Sequence, residues 1–399
     1  MNYLDSVLSI FPKDGGLTVE RKSLFTISIV IFALLSLVGI GSGLYSFYAG
    51  HEHTFGTTRE VPWGILIAAY VFFVVTSTGL CIVSSIGHVF GFKNFAPIAK
   101  RAVFLSIVTI ISGFLVIAFE IENTWRMPVA LVLHFNLTSN IWWMGTLYGC
   151  YLVFMIVEFV MLQLGKHRLA MGCGLAGLLT GIAAHSNLGA VFGLLNGREF
   201  WQGPYMPVYF IVSAAMSGCM ALLFFTYLAY RFNGWRIDDK LTNSLRSVAK
   251  FGLLMIAVVL FFTTWKMIAG ITGQVPGEYE PMLYLLNGPY MVNFWIGEIT
   301  LGLVLPLVLI LSVKAESLPV IFIASIAGMI GIFFMRYDLV IVGQLAAPYA
   351  GMGLVDYPDM FSYKPSCIEW LITMGGFAFC GLLFLLGEKY FRGHLSEGH

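Results

Sequence analysis

The sequence predicts an all-α polytopic membrane protein: ten transmembrane helices, forming two parallel-repeat four-helix bundles (helices two to five and six to nine) with one flanking helix at each end. Three observations carry this expectation. Hydrophobic residues are 58% of the 399 and charged residues only 11%, against roughly 25% charged in a soluble domain. Ten stretches are apolar enough and long enough to cross a bilayer, which takes about 20 residues each. Finally, the second to fifth stretches resemble the sixth to ninth.

Span one, 24–49, follows 23 polar residues with no apolar core before a small-residue cleavage site, so it is expected to remain as a helix and not to be removed as a leader. Span two covers 63–90 and span three 102–123, ending at Thr124-Trp125-Arg126-Met127. Span four, 140–164, opens with Asn140-Ile141-Trp142 and has Gly149 nine residues on. Span five, 168–195, carries Ala176-Gly177, then His185 and Asn187. Span six is 205–230. Span seven, 248–272, contains Thr264-Trp265-Lys266-Met267, the counterpart of the motif after span three. Span eight, 288–313, contains Asn293-Phe294-Trp295 with Gly302 nine residues on, repeating span four. Span nine, 318–344, has Ala327-Gly328, then Arg336 and Asp338, at the spacings of span five. The three matches lie 140, 153 and 151 residues apart, in order. Span ten is 366–388. The chain then divides into an N-terminal segment (1–23), a first flanking helix and loop (24–62), two bundles (63–200 and 201–344), and a final loop, flanking helix and tail (345–399).

Lysine and arginine orient the spans. Sixteen of the 22 lie on the side of the two termini, so both termini are expected in the cytoplasm. The outer segment 345–365, with Pro348, Tyr349, Asp356, Pro358 and Tyr363, is either a cover for a partner subunit or an ordered loop at headgroup level. A net charge of +1, with no basic stripe, argues against nucleic acid. The six cysteines are not clustered, so an iron–sulfur cluster or structural zinc is not expected on this chain.

An ionisable side chain in hydrocarbon costs a few kcal/mol or more and calls for a reason. Glu120 lies 19 residues beyond Arg101, roughly 28 Å up an outward-running helix. His185 lies 17 residues beyond Arg168, roughly 25 Å up. Glu122, His134 and Asn136 are also expected near the outer side, as are Glu298, Arg336 and Asp338 of the second bundle. Glu122 and Asp338 have the alternative of snorkelling to the interface, and Glu298 with Arg336 that of neutralising each other. On span four, Tyr148, Tyr151, Met155 and Glu158 share one helix face. With His88 at similar depth they form a candidate proton path toward the inner side, unless Glu158 simply faces the headgroups. A haem pair is weakly supported, because His88, His134 and His185 are not at one depth. A proton-coupled transporter or ion-translocating subunit without quinone chemistry remains open. An apolar, aromatic-lined quinone site with a histidine and a carboxylate also fits, since quinol oxidation needs bases within hydrogen-bond reach.

Val61-Pro62-Trp63-Gly64, Gly87-His88-Val89-Phe90 with Pro97 and Arg101, His134-Phe135-Asn136, Val157-Glu158-Phe159 and His185 with Gly189 resemble the NrfD/polysulfide reductase membrane-subunit family over residues 24–388. Ten spans suit its larger branch, which includes HybB and DsrP; Arg336-Tyr337-Asp338 through Gly343-Gln344 looks more like the DsrP group. The resemblance implies a subunit of a respiratory oxidoreductase complex in a prokaryotic inner membrane. It implies menaquinone or menaquinol near the outer face, no bound haem or iron–sulfur cluster, a ferredoxin-like iron–sulfur partner on that face, and further cytochrome or catalytic subunits. Glu120 and His185 are then expected to bond and deprotonate the quinol, with His134, Asn136 and Trp142 lining its pocket. One departure is that Trp142, Trp143 and Met144 stand where the hydrogenase relative has an acid, so energy-conserving proton movement does not simply carry over.

Overall fold

Hydrocarbon offers backbone groups no water, so a chain this apolar must satisfy them within helices. The computed structural model describes residues 19–347, 349 and 358–391. In chain order the helices are α1 (Val19–Ala49), α2 (His51–Thr54), α3 (Ile65–His88), α4 (Ala96–Glu120), α5 (Arg126–Leu133), α6 (Asn140–Gln163) and α7 (His167–Gly193). They continue with α8 (Tyr205–Asn233), α9 (Asp239–Gly273), α10 (Tyr279–Leu286), α11 (Asn293–Ser312), α12 (Leu318–Leu345) and α13 (Cys367–Tyr390). Ten of these are long and apolar enough to span a membrane. No strand occurs among the described residues; one antiparallel bridge joins Ala346 to Met360. The expectations for Asp356, the first residues and the C-terminal tail fall outside the described residues. Because the spans alternate in direction, the segments after α1, α4, α7, α9 and α12 share one end, called the upper end below.

Hydropathy marks the apolar part of a helix and not its full length. Span seven begins nine residues into α9, whose first turns are polar and are capped by the Asp238 carboxylate accepting from the Leu241 amide at 2.8 Å. The segments ahead of spans four and eight fold as the separate short helices α5 and α10. From Asn293 to Val304, α11 is π-helical, ending two residues before Pro306, whose missing amide cannot continue the ladder.

Glycine decides how closely the helices approach. A Cβ on Gly79 of α3 would come within 1.8 Å of the Ala214 carbonyl of α8, and one on Gly218 of α8 within 2.1 Å of the Gly79 carbonyl carbon. The first helices of the two bundles thus meet backbone to backbone. The flanking helices α1 and α13 meet likewise at Gly39 and Gly375, where an added Cβ would lie 2.5 Å from the opposite Cα. Tryptophans at matched positions, 153 residues apart, brace the short helix ahead of their own span in each half. The Trp142 indole donates to the Leu131 carbonyl of α5 at 3.1 Å, and the Trp295 indole to the Leu286 carbonyl of α10 at 3.1 Å.

At the lower end, Arg101 of α4 and Glu388 of α13 form a buried ion pair of 2.6 Å. At the upper end, the Gln344 amide pairs with both backbone groups of Trp63, each at 2.9 Å. Arg198 donates to the carbonyls of Gln344 at 2.6 Å, Ala346 at 2.9 Å and Glu60 at 2.7 Å. Partial burial lowers the pKa of that guanidinium, but an arginine stays charged. Three segments distant in sequence are tied together there.

Candidate functional site

A cavity of about 470 Å³ opens in the upper half of the first bundle, between α3, α4, α5, α6 and α7. Its walls are almost wholly apolar, with Trp63, Phe114, Met127, Leu131 and Phe192 among them. Two glycines of α6 make the space. A Cβ on Gly145 would come within 2.9 Å of Leu131, whereas one on Gly149 would meet nothing within 4 Å.

Tyr148 sits between those glycines and lines the cavity. Its hydroxyl shares a hydrogen bond of 3.0 Å with Nδ1 of His185, and both residues are fully buried. His185 also has the Phe210 backbone beside it, though its Nε2 makes no hydrogen bond of good geometry. Below this pair, α7 presents Gly174, Gly177 and Gly181 at helical spacing. They make room for Glu158, Met155 and Tyr151, whose atoms would lie 2.7, 3.0 and 3.0 Å from an added Cβ. The Tyr151 hydroxyl donates to the Ser77 carbonyl at 3.0 Å. Glu158, 1% exposed, pairs with His88 Nδ1 at 3.1 Å, and its Oε2 is unpartnered. The carboxylate therefore packs between α3 and α7 and does not face the headgroups. Met155 stands between Tyr151 and Glu158 on this face, so the polar groups form an upper set (His185, Tyr148, Tyr151, Ser77) and a lower pair (Glu158, His88).

Several residues expected at one site are not brought together. Glu120 lies beside the Gly64 backbone and the Glu369 carboxyl, where Glu369 accepts from Tyr363 at 2.6 Å and the Gly56 amide at 2.7 Å. Glu120 is not among the cavity walls. His134 and Asn136 are exposed, on the loop between α5 and α6. They do not line the cavity, because α5 carries the chain outward before α6 begins. Trp142 is buried, but its ring braces α5 and does not face the cavity; Ile141, Met144 and Gly145 supply that wall. Sequence reasoning also missed Trp63, Phe192 and Ser77. The aromatic residues would have needed a helix-face assignment, and Ser77 carries no signal of its own.

In the second bundle, Glu298, Arg336 and Asp338 are all buried. Arg336 donates to Ser213 at 2.8 Å and lies 5.4 Å from the Phe210 ring centroid. The His185 ring lies 5.7 Å from the same ring, so Phe210 touches both the buried guanidinium of the second bundle and the buried imidazole of the first.

Comparison with known proteins agrees with this architecture. The chain is 29% identical to the Hdr-like menaquinol oxidoreductase integral membrane subunit of Archaeoglobus fulgidus, over 94% of this chain and 96% of that protein. It is 22% identical to the menaquinone reductase integral membrane subunit of Nitratidesulfovibrio vulgaris, over 95% of each. It is also 22% identical to the protein NrfD of Escherichia coli, over 72% of this chain and 96% of that one. The family description "Polysulphide reductase, NrfD" matches residues 53–348, and the chain belongs to that family.

Proposed function

We propose that the protein is the quinone-reacting membrane subunit of a multi-subunit oxidoreductase, and that a menaquinone or menaquinol headgroup occupies the cavity of the first bundle. The observation that carries this reading is an apolar chamber of about 470 Å³ whose wall includes a tyrosine hydrogen-bonded to a buried histidine. A quinone is an apolar ring with two oxygens that need hydrogen bonds, and this chamber offers apolar walls and the Tyr148 hydroxyl. The menaquinol oxidoreductase and menaquinone reductase subunits among the relatives support the same choice.

In this reading Tyr148 bonds one quinone oxygen and passes its proton to His185. Oxidation of the bound quinol releases two electrons and two protons: one proton passes through Tyr148 to His185, the other to water at the upper end, and the electrons leave to an iron–sulfur partner docked there. The charge bias of the loops supports reading that end as the outer one, with both termini in the cytoplasm. His134 and Asn136, exposed on the upper loop, are positioned for such a partner better than for the ring. Glu158 and His88 serve proton exchange with the opposite side, with Met155 interrupting the route.

The test is a titration of the purified complex with a fluorescent quinone-analogue inhibitor, in wild type and in Tyr148→Phe and His185→Ala. Stoichiometric quenching that weakens in both variants is the expected result. Quenching unaffected by either moves the site out of the first bundle, and no quenching in wild type removes the quinone reading.

A further inference from the structure

The walls of the apolar cavity have counterparts in the second half of the chain. Met127, Gly145 and Leu188 line the first cavity. Met267, Glu298 and Leu339, 140, 153 and 151 positions on, line a second, much smaller one. That chamber is about 30 Å³ and also takes Tyr209, Thr263, Lys266 and Asp338 into its wall. The matched positions explain the contrast. Glu298 stands where the first half has Gly145, so its side chain fills the space that the glycine leaves open. Likewise Lys266 replaces Arg126, Arg336 replaces His185 and Asp338 replaces Asn187. What remains holds about one water molecule and is charged where the first cavity is apolar.

Asp338 is 1% exposed. Its Oδ1 accepts a long bond of 3.4 Å from Asn293, and its Oδ2 has no partner. In the first half the matched Asn187 donates to the Asn140 carbonyl at 2.7 Å. Asp338 instead accepts from the Asn293 side chain, and its unpartnered oxygen can act as a donor only when it carries a proton. Tyr290 and its neighbour Tyr337 on α12 interact with Asp338 directly, as does Glu298 from α11; Lys266 from α9 and Tyr205 and Tyr209 from α8 line the same chamber, Arg336 of α12 lies against Glu298, and Glu278 sits beside Lys266. Arg336 Nε and Nη1 also lack partners. Glu298 faces both cations, which leaves Asp338 as the carboxyl without a dedicated counter-charge.

We propose that this chamber is a protonatable site, in which Asp338 holds a proton and one internal water bridges it to Glu298, at the position where the other half of the molecule takes an apolar ligand. The site exchanges its proton as the charge of the neighbouring bundle changes, because His185 and Arg336 both lie against the same buried Phe210 ring. That coupling rests on the quinone reading above; the site itself does not.

Infrared spectroscopy of the purified full-length protein, titrated in light and heavy water, reads the proton directly. The wild type should show a buried, protonated carboxyl band that shifts in heavy water. Asp338→Asn should remove it, and this variant installs the residue that the first half already carries, so folding is expected to persist. Glu298→Gln should remove it as well, since Lys266 and Arg336 without their counter-charge would make Asp338 give up its proton. A band absent from the wild type, or undiminished in the variants, overturns the proposal. Titration of the same wild-type sample with the quinone analogue reports separately on the first cavity, so a failed quinone reading and a failed proton site give different results.

Discussion

Gly149 offers a direct way to close the cavity without disturbing the fold. It lines the chamber, and a Cβ there meets nothing within 4 Å, so the side chain of Gly149→Trp points into open space. The helix itself should gain stability, since glycine in a helix costs about 0.5–1 kcal/mol relative to alanine. The effect on a ligand is steric. A quinone reaches the site from lipid, which is as apolar as the cavity wall, so the hydrophobic transfer term largely cancels and packing remains. If the indole displaces 20–30 atom contacts worth ~0.1–0.2 kcal/mol each, the ligand loses roughly 2–6 kcal/mol. A loss at the low end of that range already weakens binding about 30-fold. Quinone-analogue quenching measures the affinity, and thermal unfolding of the same sample shows that the fold persists. A Gly149→Trp protein that unfolds at or above the wild-type temperature yet binds the analogue within threefold would refute the assignment of this chamber. Gly149→Ala, which barely enters the space, is the control and should bind normally.

Other expectations follow from individual contacts. Tyr148→Phe removes the hydroxyl that bonds His185 and should cost about 1–3 kcal/mol of stability, read by thermal unfolding, and should slow turnover with electron transfer partners intact; unchanged turnover would take Tyr148 out of the mechanism. Glu158→Gln should leave analogue binding at the wild-type value and slow only proton-coupled turnover, with equal proton uptake in both proteins counting against any role. Arg101→Met strands the Glu388 carboxylate in the interior and should destabilise by about 3–5 kcal/mol, whereas Arg101→Met with Glu388→Leu should recover much of that loss in thermal unfolding. Gly79→Val should prevent the two bundles from closing, while Gly41→Val, at a position with nothing within 4 Å of its Cβ, should not; comparable expression of folded protein for both would contradict the close crossing.

The ten spans were legible because apolar length is a strong signal. The rotation of each helix about its axis was much less so. The rise per residue predicts comparable depth for Glu120 and His185, yet one faces Glu369 and the other Tyr148, and only the packed helices determine that difference. The shared face of Tyr148, Tyr151, Met155 and Glu158 was recoverable, since spacing within one helix is enough. The chamber was not, because it is made by the side chains that Gly145 and Gly149 lack. Nor was the exposure of His134 and Asn136, which depends on α5 folding as a separate helix within a segment whose apolarity reads as a continuation of the next span.

The crossing of Gly79 and Gly218 has a further consequence. Two identical four-helix proteins could meet at such a crossing, but a change in either cavity would then appear in both partners. With the two units in one polypeptide, stoichiometry and pairing are set by synthesis, and the partner is held at a high effective concentration. Each unit can also diverge alone. A single chain is thereby free to carry a wide, apolar chamber on one side of the axis and a narrow, charged one on the other.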